Sequence, residues 1–303
     1  KIIINQGESL SAISNKLLKS GVITNEKIFG FATKIMGLEK SIPVGRYQFK
    51  DVNINKSIIN SLVYGSPEIK RITLLEGWNI EQVSSHLSEE MGFDYNNLIE
   101  IINDKNFTQS LDLDGDNLEG YLFPETYHFF GGEKEHSVII RLVNEYKKFW
   151  SNINIAKADS MNLTQHQIVT LASIIEGEAI YDSERPIISA VYHNRLKRGM
   201  KLQADPTVQY IITDGPRRLL NKDLKIKSLY NTYLYRGLPP GPINSPGFES
   251  LKAALYPEEN DYLYFVAKGD GYHTFSKNEK DHERAKRAFQ RVRRKVKNER
   301  DGS

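Results

Sequence analysis

A chain of 303 residues is long enough for two domains and a substantial core. Hydrophobic residues at 39% and charged residues at 26% exclude a disordered polypeptide, and the absence of cysteine excludes disulfides, thiolate metal sites and a cysteine nucleophile. The net charge of +3 is too small to imply a polyanionic partner by itself.

No apolar run approaches the roughly eighteen residues of a membrane span, and no signal peptide precedes the first strand. The chain opens on Lys1, so an upstream segment is expected to have been removed. The first element predicted is a strand over Lys1 to Asn5, followed by a turn at Gly7 and a helix whose apolar face is Leu10, Ile13, Leu17 and Leu18. The same plan returns farther on. Arg71 to Leu75 reads as a strand, and Gly77, Ile80, Val83 and Leu87 match Gly7, Leu10, Ile13 and Leu17 at a constant offset of 70. Two copies are too few for a solenoid. Residues 1–105 are therefore expected to form small α+β modules, with Tyr47 to Phe49 a further strand and Ile54 to Tyr64 a further helix. Gly7-Glu8-Ser9-Leu10, followed by Ile13 and Leu17, resembles the opening half of a LysM glycan-binding module.

Asp112, Asp114 and Asp116, with Glu119 beyond, invite a calcium reading. An EF-hand loop needs its glycine sixth and its bidentate glutamate twelfth. Here Gly115 is fourth and Glu119 eighth, so the stretch is expected to be a solvated turn between domains. The aromatic segment from Glu119 to Phe130, built around Pro124, predicts an ordered and partly buried stretch. Val138 to Trp150 follows as a helix.

Gln167 to Tyr181 is the stretch around which the rest is organised. Ile168, Leu171, Ala172 and Ile175 recur at the spacing of one helix face, which predicts a core helix with Glu176 at the edge of its stripe. Neighbours of Glu176 three and four positions away are Ala172, Ser173, Ala179 and Ile180, none of them a cation. Two readings stay open. Either Glu176 faces water or pairs with a distant arginine, or an apolar wall and a missing cation keep it protonated, as a general acid requires. Glu178 is about 200° around a regular helix from Glu176 and is expected to point elsewhere. Gly177 between them costs about 1 kcal/mol relative to alanine, which leaves room for an irregularity.

Ser183 is a candidate N-cap for a helix marked by Ile187, Ile188, Val191 and Leu196, with Arg195, Lys197 and Arg198 in its last turn and Gly199 placed to end it. Gln203 and Asp205 stand just ahead of a helix start at Pro206, as caps or as binding groups. Tyr230 to Gly247 is rich in proline and glycine, which fixes the backbone either as a plain structural loop or as the wall of a cleft. A helix over Phe248 to Leu255 leads to a hairpin of Tyr262 to Ala267 and Tyr272 to Phe275, turned at Gly269-Asp270-Gly271. Beyond Asn278 lies one charged helix carrying Arg284, Lys286, Arg287, Arg291, Arg293, Arg294, Lys295 and Lys297. It is read as a solvated terminal helix rather than a nucleic-acid or membrane surface.

Residues 119–127, 171–179, 184–210, 230–247 and 262–275 resemble, in order, the motifs of the endolytic murein transglycosylase (YceG-like) family. The resemblance implies an α+β fold, with a LysM-like α+β region at 1–105 and a mixed α+β catalytic domain at 106–303 built on the glutamate-bearing core helix. It implies a lyase that cuts peptidoglycan glycan strands internally between N-acetylmuramic acid and N-acetylglucosamine, without cofactor or metal. The family's essential glutamate, first in its Ser-Ile-Ile-Glu-x-Glu stretch, matches Glu176. Gln203, Asp205, Asn231 and Tyr233 are candidates for holding sugar hydroxyls and N-acetyl groups.

Family members are inner-membrane proteins whose catalytic domain faces the peptidoglycan on the periplasmic or extracytoplasmic side. The N-terminal membrane helix is not found in this chain, which is expected to be soluble by itself. No nucleic-acid partner is expected, and regulation by a peptidoglycan synthase is left open. On this reading Glu176 enters protonated, gives its proton to the glycosidic oxygen, and takes one back from the muramic acid C6 hydroxyl as that oxygen closes on C1. The alternatives are a hydrolytic muramidase using Asp205 or another second carboxylate, a glycan-binding scaffold without catalysis, and a nucleic-acid binder relying on the basic tail.

Overall fold

A computed structural model describes residues 1–5, 7–49, 54–64 and 69–301, with side chains described to Arg291 and at Arg294. Its elements in chain order are β1 (Ile2–Ile4), α1 (Leu10–Lys19), α2 (Glu26–Ile35), β2 (Gly45–Tyr47), α3 (Asn55–Val63), β3 (Ile69–Thr73) and α4 (Ile80–Met91). Next come α5 (Tyr95–Asn103), α6 (Lys105–Ser110), β4 (Thr126–Phe130), α7 (Glu135–Lys147), α8 (Asn152–Ser160), α9 (Gln165–Glu178) and α10 (Arg185–Lys197). The chain closes with α11 (Asp205–Gln209), α12 (Phe248–Leu255), β5 (Tyr264–Ala267), β6 (His273–Ser276) and α13 (Glu279–Asp301). The fold is mixed α+β, and its strands pair two by two.

The chain divides into two compact units: Lys1–Leu74, Ser84–Ile101 and Glu125–Arg141 form the first, and Leu75–Val83, Ile102–Pro124 and Leu142–Ser303 the second. The division is therefore not one cut near residue 105.

In the first unit β1 pairs antiparallel with β2, Ile3 facing Arg46. Ile2 and Ile4 of β1, Ile13 and Leu17 of α1, Phe29 of α2 and Ile58, Ile59 and Leu62 of α3 share one buried cluster. Leu18, expected on the apolar face of α1, is exposed instead, because the inward stripe is filled by Ile13 and Leu17. The strand expected at Tyr47 to Phe49 lies two residues earlier, where β2 meets β1 in register. In this unit β3 also pairs antiparallel with β4, Ile72 facing Tyr127. The aromatic run after Pro124 is thus a strand, with Tyr127 and Phe129 buried.

The repeated plan is present locally. Gly7 and Gly77 have φ of +78° and +77°, the left-handed region that glycine enters without strain, and α1 and α4 begin three residues after each. Ser9 caps α1 through the amide of Ala12, while Asn79 and Gln82 exchange side-chain and backbone hydrogen bonds at the start of α4.

The second unit is built on α9, whose residues 168–175 are all buried. Thr164 and Gln167 form a capping box at its start. The hairpin β5–β6 aligns Tyr264 with Ser276 and Ala267 with His273. The acidic turn is tied to lysines, Asp116 to Lys105 at 2.8 Å and Asp112 to Lys147 at 3.8 Å. On α13, Arg284, Lys286, Arg287, Arg291 and Arg294 are exposed, whereas Arg293, Lys295 and Lys297 lie outside the described side chains. Among the described residues no helix is long and apolar enough to cross a membrane, and no group of three acidic or histidine side chains is placed to hold a metal ion.

Candidate functional site

The last turn of α9 carries Glu176, and its rigidity comes from what lies beside it. The Ser173 hydroxyl accepts from the amide of Ile243, and the Ser173 carbonyl accepts from Asn244 Nδ2, so the loop 239–247 is laid along the helix. His166, the second residue of α9, donates to the Pro240 carbonyl at 2.8 Å while its Nδ1 accepts from the Tyr121 hydroxyl at 2.7 Å. The proline-rich stretch is therefore a fixed wall, buried from Gly241 to Gly247. A Cβ on Gly120 would lie 2.5 Å from Pro242, so this residue must be glycine for the wall to seat.

Glu176 has a cation, the distant arginine of the first of the two open readings. Arg185 Nη1 lies 3.1 Å from Glu176 Oε1, and both side chains are 6% exposed. The amide of Gly247 donates to Oε2 at 2.9 Å. Neighbours three and four positions away could not reveal this, because the guanidinium arrives nine residues on, after the chain has reversed. Arg185 is itself fixed: its Nε donates to Asp182 at 2.9 Å and its Nη1 to the Ser250 hydroxyl at 2.5 Å. Ser183 does not cap this helix. A single 3-10 turn over Asp182–Glu184 precedes α10, and Glu184 holds the cap position without a side-chain cap bond. At the other end of α10, Gly199 has φ of +62° and ends it as expected.

Glu76 was not among the residues picked out by the sequence. The residue as a whole is exposed, yet its carboxyl end is tucked where a Cβ on Gly247 would fall, 1.8 Å from such an atom. Gly77 donates to the Ser245 carbonyl at 2.9 Å and Ser245 to the Trp78 carbonyl at 2.8 Å, which pins the backbone after Glu76 to the wall. Burial, and next the charge of Glu176, push the Glu76 carboxyl above the ordinary range, with Arg185 acting against them.

Glu178 has different surroundings, as the helical angle requires. The Tyr192 hydroxyl donates to it at 3.0 Å. Its carboxyl is pushed up to about 7 by burial first and the charge of Asp205 next. The helix runs regularly through Gly177. Glycine is needed there because a Cβ would stand 2.7 Å from Pro206.

The four candidate sugar contacts divide. Gln203 is exposed with φ of +50°, a conformation costly for its residue type, and is held there by its amide bond to the Thr232 carbonyl. Asp205 is exposed and accepts from the Tyr233 hydroxyl at 2.5 Å. Asp205 is not a cap: Ala204 holds that position and makes no side-chain cap bond. Asn231 is fully buried, its Nδ2 donating to the carbonyls of Leu224 and Ile226 and its Oδ1 accepting from the amide of Tyr233. It builds the loop that presents Tyr233, and its amide is already used. Arg195 is likewise buried, binding the carbonyls of Leu202 and Leu263 and so fixing the backbone next to Gln203.

One further acid is enclosed. Glu119 is 2% exposed, accepts from the amide of Ile80 at 3.4 Å, and is pushed up to about 8, burial being the largest cause.

The model of the YceG-like family matches residues 2–288. The endolytic murein transglycosylase of Bacillus subtilis is 35% identical over 303 residues, which cover 95% of this chain and 84% of that protein. The endolytic murein transglycosylase of Streptococcus pneumoniae R6 is 27% identical over 316 residues, covering 93% of this chain and 56% of the longer relative. A solved YceG-like protein from Listeria monocytogenes superposes with a TM-score of 0.64 at 31% identity, covering 93% of this chain and 97% of its own.

Proposed function

The chain belongs to the YceG-like family, and from that premise we propose that it is an endolytic murein transglycosylase that cuts peptidoglycan glycan strands between N-acetylmuramic acid and N-acetylglucosamine. Glu176 is the catalytic carboxyl in this reading. The observation that carries it is the placement of that carboxyl: at the end of a wholly buried helix, its two oxygens aimed by Arg185 and Gly247, beside a wall that proline and glycine make rigid.

The cut is non-hydrolytic. One proton goes to the glycosidic oxygen as its bond to C1 breaks, and one returns from the muramic acid C6 hydroxyl as that oxygen bonds to C1, leaving a 1,6-anhydro end. The attacking hydroxyl belongs to the same sugar, so proximity lowers the barrier. Acid and base help from a positioned carboxyl contributes about a hundredfold to ten thousandfold. Gln203, Asp205 and Tyr233 hold the sugar on this reading, and Asn231 acts behind them by fixing the Tyr233 backbone.

The antiparallel β1–β2 pair with α1 and α2 between its strands supports a LysM-like glycan-binding role for the first unit. Attachment to the inner membrane through a helix outside these residues, with the catalytic unit on the peptidoglycan side, completes the proposal. Control by a peptidoglycan synthase belongs to the same reading.

A hydrolytic muramidase is the second reading, because Glu76 beside Glu176 supplies the second carboxyl that hydrolysis requires. Mass spectrometry of products from purified glycan strands separates the two. Anhydro ends are expected; products heavier by one water establish the muramidase instead. Glu176→Gln is expected to abolish cutting and keep strand binding.

A further inference from the structure

Glu176 meets two donors, the Arg185 guanidinium and the Gly247 amide, and a carboxyl held in that way is posed as an acceptor. A reaction that begins by giving a proton away needs something nearby that keeps a proton at the site. Glu76 is placed to do so. Gly247 stands between the two carboxyls: its amide binds Glu176 Oε2, and the space where its Cβ would be is filled by Glu76 Oε1. Gly77 approaches from the same side, its missing Cβ lying 3.7 Å from Glu176 Cγ. The reciprocal bonds between Gly77, Ser245 and Trp78 fix this approach in the backbone.

The charges facing Glu76 are those of Glu176 on α9, Arg185 at the start of α10, Asp182 in the turn before it, and Glu249 on α12. One guanidinium thus faces several carboxyls. Arg185 already pairs with Asp182, so its charge is shared and offsets the Glu76–Glu176 pair only in part, which favours one proton on that pair.

We propose that Glu76 is a positioning residue whose carboxyl, set against Gly247 as that of Glu176 is, acts on Glu176 by its like charge, so that the pair meets the substrate singly protonated in spite of Arg185. This rests on the reading of Glu176 as the proton-transferring carboxyl. The upward push on Glu76 from burial and from Glu176 agrees with it. The balance is complete within the site: the proton of the pair passes from Glu176 to the glycosidic oxygen as C1–O breaks, and the C6 hydroxyl proton replaces it as the new C1–O bond forms.

The test is the pH dependence of kcat/KM on purified glycan strands, for the wild type, Glu76→Gln, Glu76→Asp, Gly247→Ala and Glu176→Gln. Removing the like charge at 76 makes the pair hold its proton less tightly. The alkaline limb of Glu76→Gln is therefore expected about one pH unit lower than in the wild type, with rates about tenfold down on that limb and little changed on the acid side. Glu76→Asp is expected to restore part of the shift. Gly247 has an ordinary φ of −76°, so Gly247→Ala keeps the backbone and pushes the Glu76 carboxyl aside, moving the limb the same way. An alkaline limb that stays in place in both Glu76→Gln and Gly247→Ala overturns the proposal, as does a loss of equal size at every pH. A Glu176→Gln protein that still cuts strands overturns the parent reading instead, which keeps the two failures apart.

Discussion

Gly177 and Pro206 approach so closely that a Cβ on the glycine would stand 2.7 Å from the proline Cβ. In an open helix Gly→Ala gains about 1 kcal/mol. Here the sign reverses: Gly177→Ala is expected to push α11 away and destabilise the protein by roughly 1–3 kcal/mol. Asp205 travels with α11, so a rise in KM for glycan strands should accompany the lower melting temperature. Thermal unfolding together with steady-state kinetics checks both.

Glu119 gives a pH dependence of stability with a definite sign. The unfolded chain releases this proton near 4.5, whereas the folded chain keeps it to about 8. The favourable contribution is complete below 4.5 and is lost as pH rises through 8. Glu119→Gln mimics the protonated form. It is expected to match the wild type near pH 4.5 and to exceed it at pH 8 by on the order of a few kcal/mol. Urea unfolding at the two pH values measures the difference; equal gaps at both would refute the assignment. Glu178, pushed to about 7, leaves a residual slope of the same sign.

Arg185 and Glu176 form a buried pair, so removing one partner strands the other. Arg185→Met should cost on the order of 3–5 kcal/mol. Adding Glu176→Gln to Arg185→Met should recover much of that loss, since the stranded charge is gone. A double-mutant cycle by urea unfolding reads the coupling; additive effects would contradict the pairing.

Gln203 separates backbone from side chain. Its φ of +50° is costly for glutamine and free for glycine, so Gln203→Gly is expected to hold or raise stability by up to about 1 kcal/mol. If the exposed side chain binds sugar, the same change raises KM several-fold with kcat kept. An unchanged KM removes Gln203 from the binding set.

The helices α9 and α12 and the hairpin β5–β6 were legible because their information is local: apolar spacing for the first two, a glycine turn for the third. The pair Gly7 and Gly77 was legible for the same reason. Arg185 was not, since partners on one helix face are sought three and four positions away, and this one crosses a turn. Glu76 looks like an ordinary acid before a turn glycine. Only its approach to Gly247, remote in sequence, gives it meaning. Helix α2 is obscured by its own exposed apolar residues, Ile28, Phe31 and Ile35, which blur the stripe that Phe29 marks. Asn231 has the chemistry of a sugar ligand, and only its burial shows that its amide is spent on the chain itself.

The pairing of β3 with β4 limits how the protein can be dissected. A fragment stopped at residue 105 keeps β3 and omits the strand that satisfies its backbone, leaving an open edge and uncovering Ile72, which is 1% exposed. Expressed by itself, such a piece is expected to aggregate or to be degraded, whereas one that also carries residues 125–141 retains every segment of the first unit. Deletion mapping of glycan binding should therefore splice out residues 106–124 with a short linker rather than truncate.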